Sequence, residues 1–200
     1  EDYGNAEQSL TTLLSMPLIA SIDKDGLKNQ LASSIYQQAQ QPAQDKKAQQ
    51  QHLQRLLAQP NSAYHEAAAY QQLELMEGAE AELMMGQFLA KYPKSERRQA
   101  VQAKLIDGYE KSGNFHAAAA MLETLAQETT DPNARREARW SAAQLYQRSG
   151  QNGAAIKAYQ AYLKAFSQPH DVAQEARYQL LLLQPTPASI KARTQLQEEI

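Results

Sequence analysis

The sequence predicts an all-α protein, a right-handed superhelix built from stacked pairs of helices. The first observation is a repeat: Tyr109, Gly113 and Pro132 recur 37 residues later as Tyr146, Gly150 and Pro169. A period in the thirties that contains two helical patterns is typical of a helical solenoid. The second observation is composition, since Ala, Gln, Leu, Glu and Lys dominate while Val occurs only twice. That bias favours helices over strands.

From residue 64 onward, apolar spacing predicts helices separated by turn residues. The first pair is Tyr64–Glu77 and Ala79–Tyr92, separated by Gly78. Pro93 ends the pair, because proline cannot continue the helical hydrogen-bond ladder. The apolar residues of the second helix are Leu83, Met84, Phe88 and Leu89.

Ser95–Lys111 is the next predicted helix. Its apolar stripe consists of Val101, Leu105, Ile106 and Tyr109. Gly113 in the following turn is suited to a left-handed C-cap, and Asn114 can cap a helix that runs to about Glu128. Asp131 can cap the next helix, and Pro132 fits its first turn. The helix that begins at Asp131-Pro132 is predicted to end at Arg148. Further helices are predicted over Gly153–Phe166, over Asp171–Leu183 and from Thr186-Pro187 to about Glu199.

The N-terminal third is less regular, and three helices are predicted there, over Asn5–Ser15, Gly26–Gln40 and Ala43–Gln59. The segment Gln37–Gln51 is dense in Gln, Ala and Lys and contains Pro42. We interpret it as an exposed turn and helix start, with a mobile linker as the alternative. The predicted organisation is therefore irregular helical repeats of the same solenoid (1–63), regular repeats (64–184) and a polar C-terminal capping helix (185–200).

The regular part resembles the tetratricopeptide repeat. That motif has a tyrosine late in its first helix and a glycine four residues on. A small and then a large residue follow in its second helix, with a proline near the end. The matching residues are Tyr109, Gly113, Ala118, Leu122 and Pro132, then Tyr146, Gly150, Ala155, Tyr159 and Pro169. A looser copy at Phe88–Tyr92 precedes them, and Trp140 lies one position later than the motif's tryptophan. The resemblance implies a right-handed superhelix that binds a protein or peptide on its concave face.

Short phrases such as Phe88–Ser95 and Ala158–Gln168 resemble bacterial cell-envelope repeat proteins. These include Tol-Pal-associated cell-division coordinators, outer-membrane assembly lipoproteins and large repeat proteins associated with TonB-type energy transducers. That likeness implies a scaffold in the periplasm, with the cytoplasm as the alternative. The chain opens at Glu1 without a methionine, so we expect a processed product or a fragment. The alternative function is a spacer within a longer solenoid, with no ligand of its own.

No pattern in the sequence predicts an enzyme, a cofactor or a metal site. His65-Glu66 begins like a zinc-protease helix, but position 69 is Ala, so we interpret the two residues as an exposed polar pair. Asp23–Gly26 lacks the further ligands of a calcium loop and is interpreted as a turn followed by a cap. There is no cysteine, the net charge is −2, and the apolar runs are short. Disulfides, nucleic-acid binding and membrane insertion are therefore not expected, and the oligomeric state is left open.

The predicted binding face lies on the first helix of each pair, where side chains can point away from the core. Its residues are Lys104, Asp107, Lys111, Arg136, Trp140, Gln144, Arg148, Gln174 and Arg177, with Leu181 beside them. Trp140, one turn from Arg136 and from Gln144, is the candidate anchor for an extended or helical peptide. The alternative is that Trp140 packs between adjacent repeats. Ala103 and Trp140 occupy the positions where a clamp for C-terminal carboxylates needs Lys and Asn, so that role is not expected.

Overall fold

The computed structural model describes residues 2–16, 23–41, 45–59, 62–168 and 170–184. Within these residues all regular structure is α-helical, which confirms the all-α prediction. The helices are α1 (Tyr3–Ser15), α2 (Lys24–Ala39), α3 (Lys46–Leu57), α4 (His65–Glu74), α5 (Gly78–Lys91), α6 (Arg98–Lys111), α7 (Phe115–Glu128), α8 (Pro132–Arg148), α9 (Asn152–Ala165) and α10 (His170–Leu183). None of these helices is long and apolar enough to cross a membrane. Pro169 and the predicted capping helix over 185–200 lie outside the described residues.

Side chains at the predicted cap positions begin several helices. Asn114 accepts a hydrogen bond from the Ala117 amide at 3.4 Å. Asp131 accepts one from the Asn133 amide at 3.0 Å, with Pro132 in the first turn of α8. Asp23 accepts from the Gly26 amide at 2.9 Å and is itself the cap of α2, so the helix begins at Lys24 and not after the turn expected over Asp23–Gly26. These bonds satisfy amides that would otherwise lack a partner at the helix start.

The 37-residue repeat is reproduced in the backbone of three helices. Helices α5, α7 and α9 each contain 14 residues and begin 37 positions apart, at Gly78, Phe115 and Asn152. The residue after each helix donates its amide to the carbonyl four residues back. These bonds are Tyr92 to Phe88 at 2.8 Å, Thr129 to Leu125 at 2.9 Å, and Phe166 to Tyr162 at 2.8 Å. The looser third copy at Phe88–Tyr92 therefore shares the helix length, the 37-residue spacing and this terminal hydrogen bond with the other two.

The two glycine turns are alike in conformation and in hydrogen bonding. Gly113 and Gly150 have φ angles of 78° and 74°, which confirms the left-handed C-cap predicted at Gly113. After each glycine an amide bonds to a carbonyl five residues back, Asn114 to Tyr109 at 2.8 Å and Gln151 to Tyr146 at 3.0 Å. This is the Schellman arrangement, which satisfies the last carbonyls of a helix and reverses the chain.

The chain divides into two compact units, Glu1–Arg98 and Gln99–Ile200. In the second unit α7 packs on α8, α8 on α9 and α9 on α10. Small side chains line these contacts and let the helix backbones approach closely. The alanines with no exposed surface there are Ala118, Ala119, Ala142, Ala143, Ala155 and Ala176. The large residues that fill the remaining space include Leu122, Tyr146, Tyr159 and Tyr162.

In the first unit each of the helices α1 to α5 packs on the next. Its core contains Ile35, Leu53, Leu56 and Ala68, which come from α2, α3 and α4. Helix α1 buries no residue completely, and its Leu13 and Met16 are exposed. The assignment of residues 1–63 to irregular repeats of the same solenoid stays a prediction.

In the first unit one apolar side chain is exposed and one polar side chain is buried against expectation. Leu83 is 62% exposed, because the buried stripe of α5 runs through Ala81, Met85, Phe88 and Leu89 instead. His65 is 7% exposed, so it is a buried residue and the interpretation as an exposed polar pair with Glu66 is wrong for His65. Residues distant in sequence cover its ring, which the local pattern could not indicate.

Candidate functional site

Trp140 lies on α8 and packs against the helix that follows it. Its ring centroid is 5.6 Å from that of Tyr159, edge to face, and 5.5 Å from that of Tyr162. Tyr162 in turn lies 5.3 Å from Phe166. Such tilted aromatic contacts stabilise beyond the area they bury. The indole is nevertheless only partly buried, so it belongs to the core and retains an exposed part.

The Tyr162 hydroxyl next to this indole is an unusual group. The residue has no exposed surface, and its hydroxyl finds no hydrogen-bond partner among the described residues. Burial raises the pKa of Tyr162, the Arg136 charge opposes that rise and the Asp171 charge adds to it. Buried polar groups are rarely left unpaired. The Tyr162 ring that contacts Trp140 therefore has a hydroxyl without a described hydrogen-bond acceptor, and the Arg136 charge is close enough to affect the pKa of that hydroxyl.

A chain of hydrogen bonds connects Tyr159 to α8 and α10. Its hydroxyl donates to Gln147 Oε1 at 2.8 Å, and Gln147 Nε2 donates to Gln179 Oε1 at 2.8 Å. Gln179 Nε2 then donates to Glu175 at 2.6 Å. Burial and the Glu175 charge raise the pKa of Tyr159 to about 12, so the hydroxyl remains a donor. These linked side chains join α8, α9 and α10 and orient the ring on which Trp140 packs.

The other predicted residues on α8 lie in one row with Trp140, four residues before it and four and eight residues after it. Arg136 is partly buried, and Gln144 and Arg148 are exposed. The Arg148 guanidinium lies 4.1 Å above the Phe115 ring of α7, within cation–π distance. Because four residues advance 40° beyond a full helical turn, this row curves gradually around α8. The structure thus brings Arg136 and Trp140 together, while Arg148 is held against the neighbouring helix.

The predicted residues on α6 and α10 lie mostly in solvent. Lys104 is exposed, and Lys111 Nζ pairs with Asp107 at 2.6 Å one turn away. On α10, Arg177 is exposed and Gln174 is partly buried. Five of the nine predicted residues are cationic, namely Lys104, Lys111, Arg136, Arg148 and Arg177, whereas Asp107 is the one carboxylate. The nine predicted residues therefore carry a net positive charge, although the whole chain is weakly acidic.

Sequence reasoning missed Tyr162 and Asp171 as parts of this site. Tyr162 lies on the second helix of its pair, whose role in the repeat is to fill the core. A partial signal was present, since this position holds tyrosine where α5 and α7 have Phe88 and Leu125, 74 and 37 residues earlier. A polar atom introduced at an apolar repeat position is worth inspecting for that reason.

No family model matches the chain, and no characterised protein matches it in sequence. Within the described residues no cluster of His, Cys, Asp and Glu is arranged to hold a metal ion. The function therefore has to be argued from the geometry of the chain itself.

Proposed function

We propose that the protein is a protein-interaction scaffold of the tetratricopeptide type, with a right-handed superhelical arrangement of its pairs. The equal length and 37-residue spacing of α5, α7 and α9, and the matching conformation of the Gly113 and Gly150 turns, support this proposal. Repeated helix pairs of this kind build extended binding surfaces. The proposed surface is the predicted face on α6, α8 and α10.

The observation that carries the proposal is the position of Trp140 and Arg136. The partly exposed indole of Trp140 packs on Tyr159 and Tyr162 and so presents a fixed apolar surface one helical turn from Arg136. Tryptophan and arginine are the residues that most often dominate binding energy at interfaces. With five cations and one carboxylate on the face, the partner we propose is a peptide that combines an apolar side chain with acidic residues.

The proposed location is the bacterial periplasm. Support comes from the resemblance of Phe88–Ser95 and Ala158–Gln168 to cell-envelope repeat proteins. The absence of cysteine is compatible with an oxidising compartment.

Affinity capture from a bacterial envelope extract tests the scaffold. We expect Arg136→Glu to reduce the amount of captured partner about tenfold or more, because reversing the charge next to the anchor should cost at least about 1.4 kcal/mol of binding free energy. Lys157→Glu is the matched control, because Lys157 is exposed on α9 and undergoes the same charge change. Equal capture by the two variants, at equal melting temperature, would overturn the proposed surface.

One observation favours the spacer as a second function. Leu13 of α1 and Met16, the residue after its end, are 38% and 48% exposed, and α1 packs on α2 without burying any residue completely. In a longer solenoid such an apolar side would be covered by a neighbouring repeat. Capture that is insensitive to Arg136→Glu but lost in Leu13→Lys would favour the spacer over the scaffold.

A further inference from the structure

His65, Lys91 and Tyr92 form a polar cluster in the first unit, away from the predicted face. The His65 Nδ1 atom contacts the Tyr92 hydroxyl, and its Nε2 lies 3.2 Å from Lys91 Nζ. His65 is buried at the start of α4, while Lys91 is the last residue of α5 and Tyr92 follows it as the C-cap. Both ring nitrogens of a buried histidine are thus engaged by titratable side chains.

The chemistry of the three groups assigns their protons. A lysine ammonium can only donate, so His65 Nε2 must accept and the ring is neutral. The Nδ1 atom then carries the proton and donates to the Tyr92 oxygen. Burial and the nearby Lys91 charge lower the pKa of His65, which agrees with a neutral ring. The Tyr92 proton and two Lys91 protons therefore remain for an additional acceptor.

These donors line a cavity of about 180 Å³ whose other walls are mainly apolar. Those walls include Leu57, Leu73, Met84 and Phe88. A cavity of roughly 150 Å³ with apolar walls can hold a benzene-sized molecule. The space is therefore suited to one apolar group of side-chain size, with the donors at one side of it.

The charges around the cavity favour an anion. Glu66 is the acidic group that faces Tyr92, and it raises the tyrosine pKa after the larger effect of burial. Its carboxylate accepts from Ser95 Oγ at 2.6 Å and lies 3.7 Å from the Arg97 guanidinium. Lys91 forms no ion pair with any described carboxylate. Glu66 thus has its own cation, whereas the exposed Lys91 has no carboxylate counter-ion among the described residues.

We propose that this cavity binds an apolar carboxylate, with the apolar group among Leu57, Leu73 and Phe88 and the carboxylate accepting from Lys91 Nζ and Tyr92 Oη. His65 orients Tyr92 by donating to its oxygen, so the tyrosine proton points to the ligand. This site is independent of the surface around Trp140, because it lies in the other unit and shares no residue with it.

Calorimetric titration of the full chain with three small probes tests the chemistry. We expect N-acetylleucine to bind, its neutral amide to bind at least about tenfold more weakly, and acetate not to bind measurably. The first difference reflects a lost charge-assisted hydrogen bond. The second reflects lost burial of the isobutyl group. Equal binding of acid and amide, or no binding of the acid, would overturn the proposal.

Two variants and a matched control locate the site. Lys91→Gln is expected to weaken N-acetylleucine binding about tenfold or more, and Tyr92→Phe several-fold. Lys94→Gln removes the same charge from an exposed residue outside the cavity and should leave binding unchanged. Equal affinity in the Lys91 and Lys94 variants refutes the assignment even if the acid binds.

The carboxylate can come from a free acid or from the C-terminus of a peptide. A peptide ending in a free leucine carboxylate, compared with its C-terminally amidated form, distinguishes the two sources. Peptide binding at least as tight as that of N-acetylleucine identifies a chain terminus, whereas exclusion of both peptides identifies a free acid. Binding of the amidated peptide as tightly as the free form would contradict the role of Lys91.

Discussion

Helices α7 to α9 and helix α1 are held in place by different interactions. In α7 to α9, fully buried alanines and tyrosines such as Ala118 and Tyr162 pack the helices closely. Helix α1 buries no residue completely, and Glu7 instead accepts from Gln38 Nε2 at 2.6 Å and from Arg55. Partly buried hydrogen bonds to a charged group contribute about 1–3 kcal/mol each, whereas truncation of a buried aromatic side chain costs about 3–5 kcal/mol. Helices α7 to α9 therefore depend on close packing of buried side chains more than α1 does.

The largest expected effect tests this contrast directly. Tyr162→Ala removes a fully buried ring that touches Trp140 and Phe166. We expect it to lower the free energy of unfolding of the second unit by about 3–5 kcal/mol. Leu13→Ala, on the exposed side of α1, should change stability by less than about 1 kcal/mol. Similar costs for the two substitutions would contradict the difference in packing.

The single tryptophan of the chain makes the measurement specific. Trp140 lies in the second unit, so its fluorescence during urea denaturation reports on that unit, while circular dichroism reports on all helices. Tyr162→Ala should shift the fluorescence midpoint strongly. Leu13→Ala should leave the fluorescence midpoint where it is in the unmodified chain.

The glycines give a second comparison, between turns and helix interiors. Gly113 has a φ of 78°, which an alanine side chain opposes, so Gly113→Ala should cost about 1–2 kcal/mol. Gly86 lies inside α5, and a Cβ atom there would meet nothing within 4 Å. Gly86→Ala should therefore stabilise by about 0.5–1 kcal/mol. Opposite signs in thermal denaturation are expected, and a stabilising Gly113→Ala would exclude the left-handed turn.

The turns and helix limits of the regular region could be predicted because their causes are local. The Gly113 turn, the Asn114 cap and the Asp131-Pro132 start each depend on a few neighbouring residues. The predicted helix Gly153–Phe166 is observed one residue earlier, at Asn152–Ala165.

The burial of side chains at the candidate sites could not be predicted from neighbouring residues in the sequence. His65 is enclosed by Tyr92, 27 residues away, and by Leu57 of α3. Leu83 is apolar yet exposed, because the direction of α5 against its neighbours decides which side faces the core. The unpaired Tyr162 hydroxyl likewise depends on what surrounds it in three dimensions.

His65 also gives the first unit a distinctive pH dependence. Burial and the Lys91 charge lower its pKa in the folded state below the usual value of about 6.5. The unfolded chain therefore takes up a proton at higher pH than the folded chain does. Stability is then fully present above about pH 6.5 and declines as the pH falls towards the folded-state pKa.

Urea denaturation followed by circular dichroism between pH 7.5 and 5.5 measures this decline. His65→Gln should flatten it, whereas His116→Gln is the matched control, because His116 is exposed. Burial and the Arg55 charge lower the pKa of His52 as well, so a His52→Gln background isolates the His65 contribution. A slope that persists in His52→Gln/His65→Gln would assign the decline to another group.

The smallest expected effect concerns two tyrosine hydroxyls one helical turn apart on α9. Tyr159 donates to Gln147 at 2.8 Å, so Tyr159→Phe leaves a buried acceptor unpaired and should cost about 1–2 kcal/mol. The Tyr162 hydroxyl has no partner among the described residues, so Tyr162→Phe removes a buried polar group without breaking a bond. Its effect should lie near zero or be slightly stabilising, within about 0.5 kcal/mol. Because both changes delete one oxygen from a ring that touches Trp140, fluorescence-detected denaturation compares them directly. A loss of stability in Tyr162→Phe equal to that in Tyr159→Phe would mean that the Tyr162 hydroxyl is already paired.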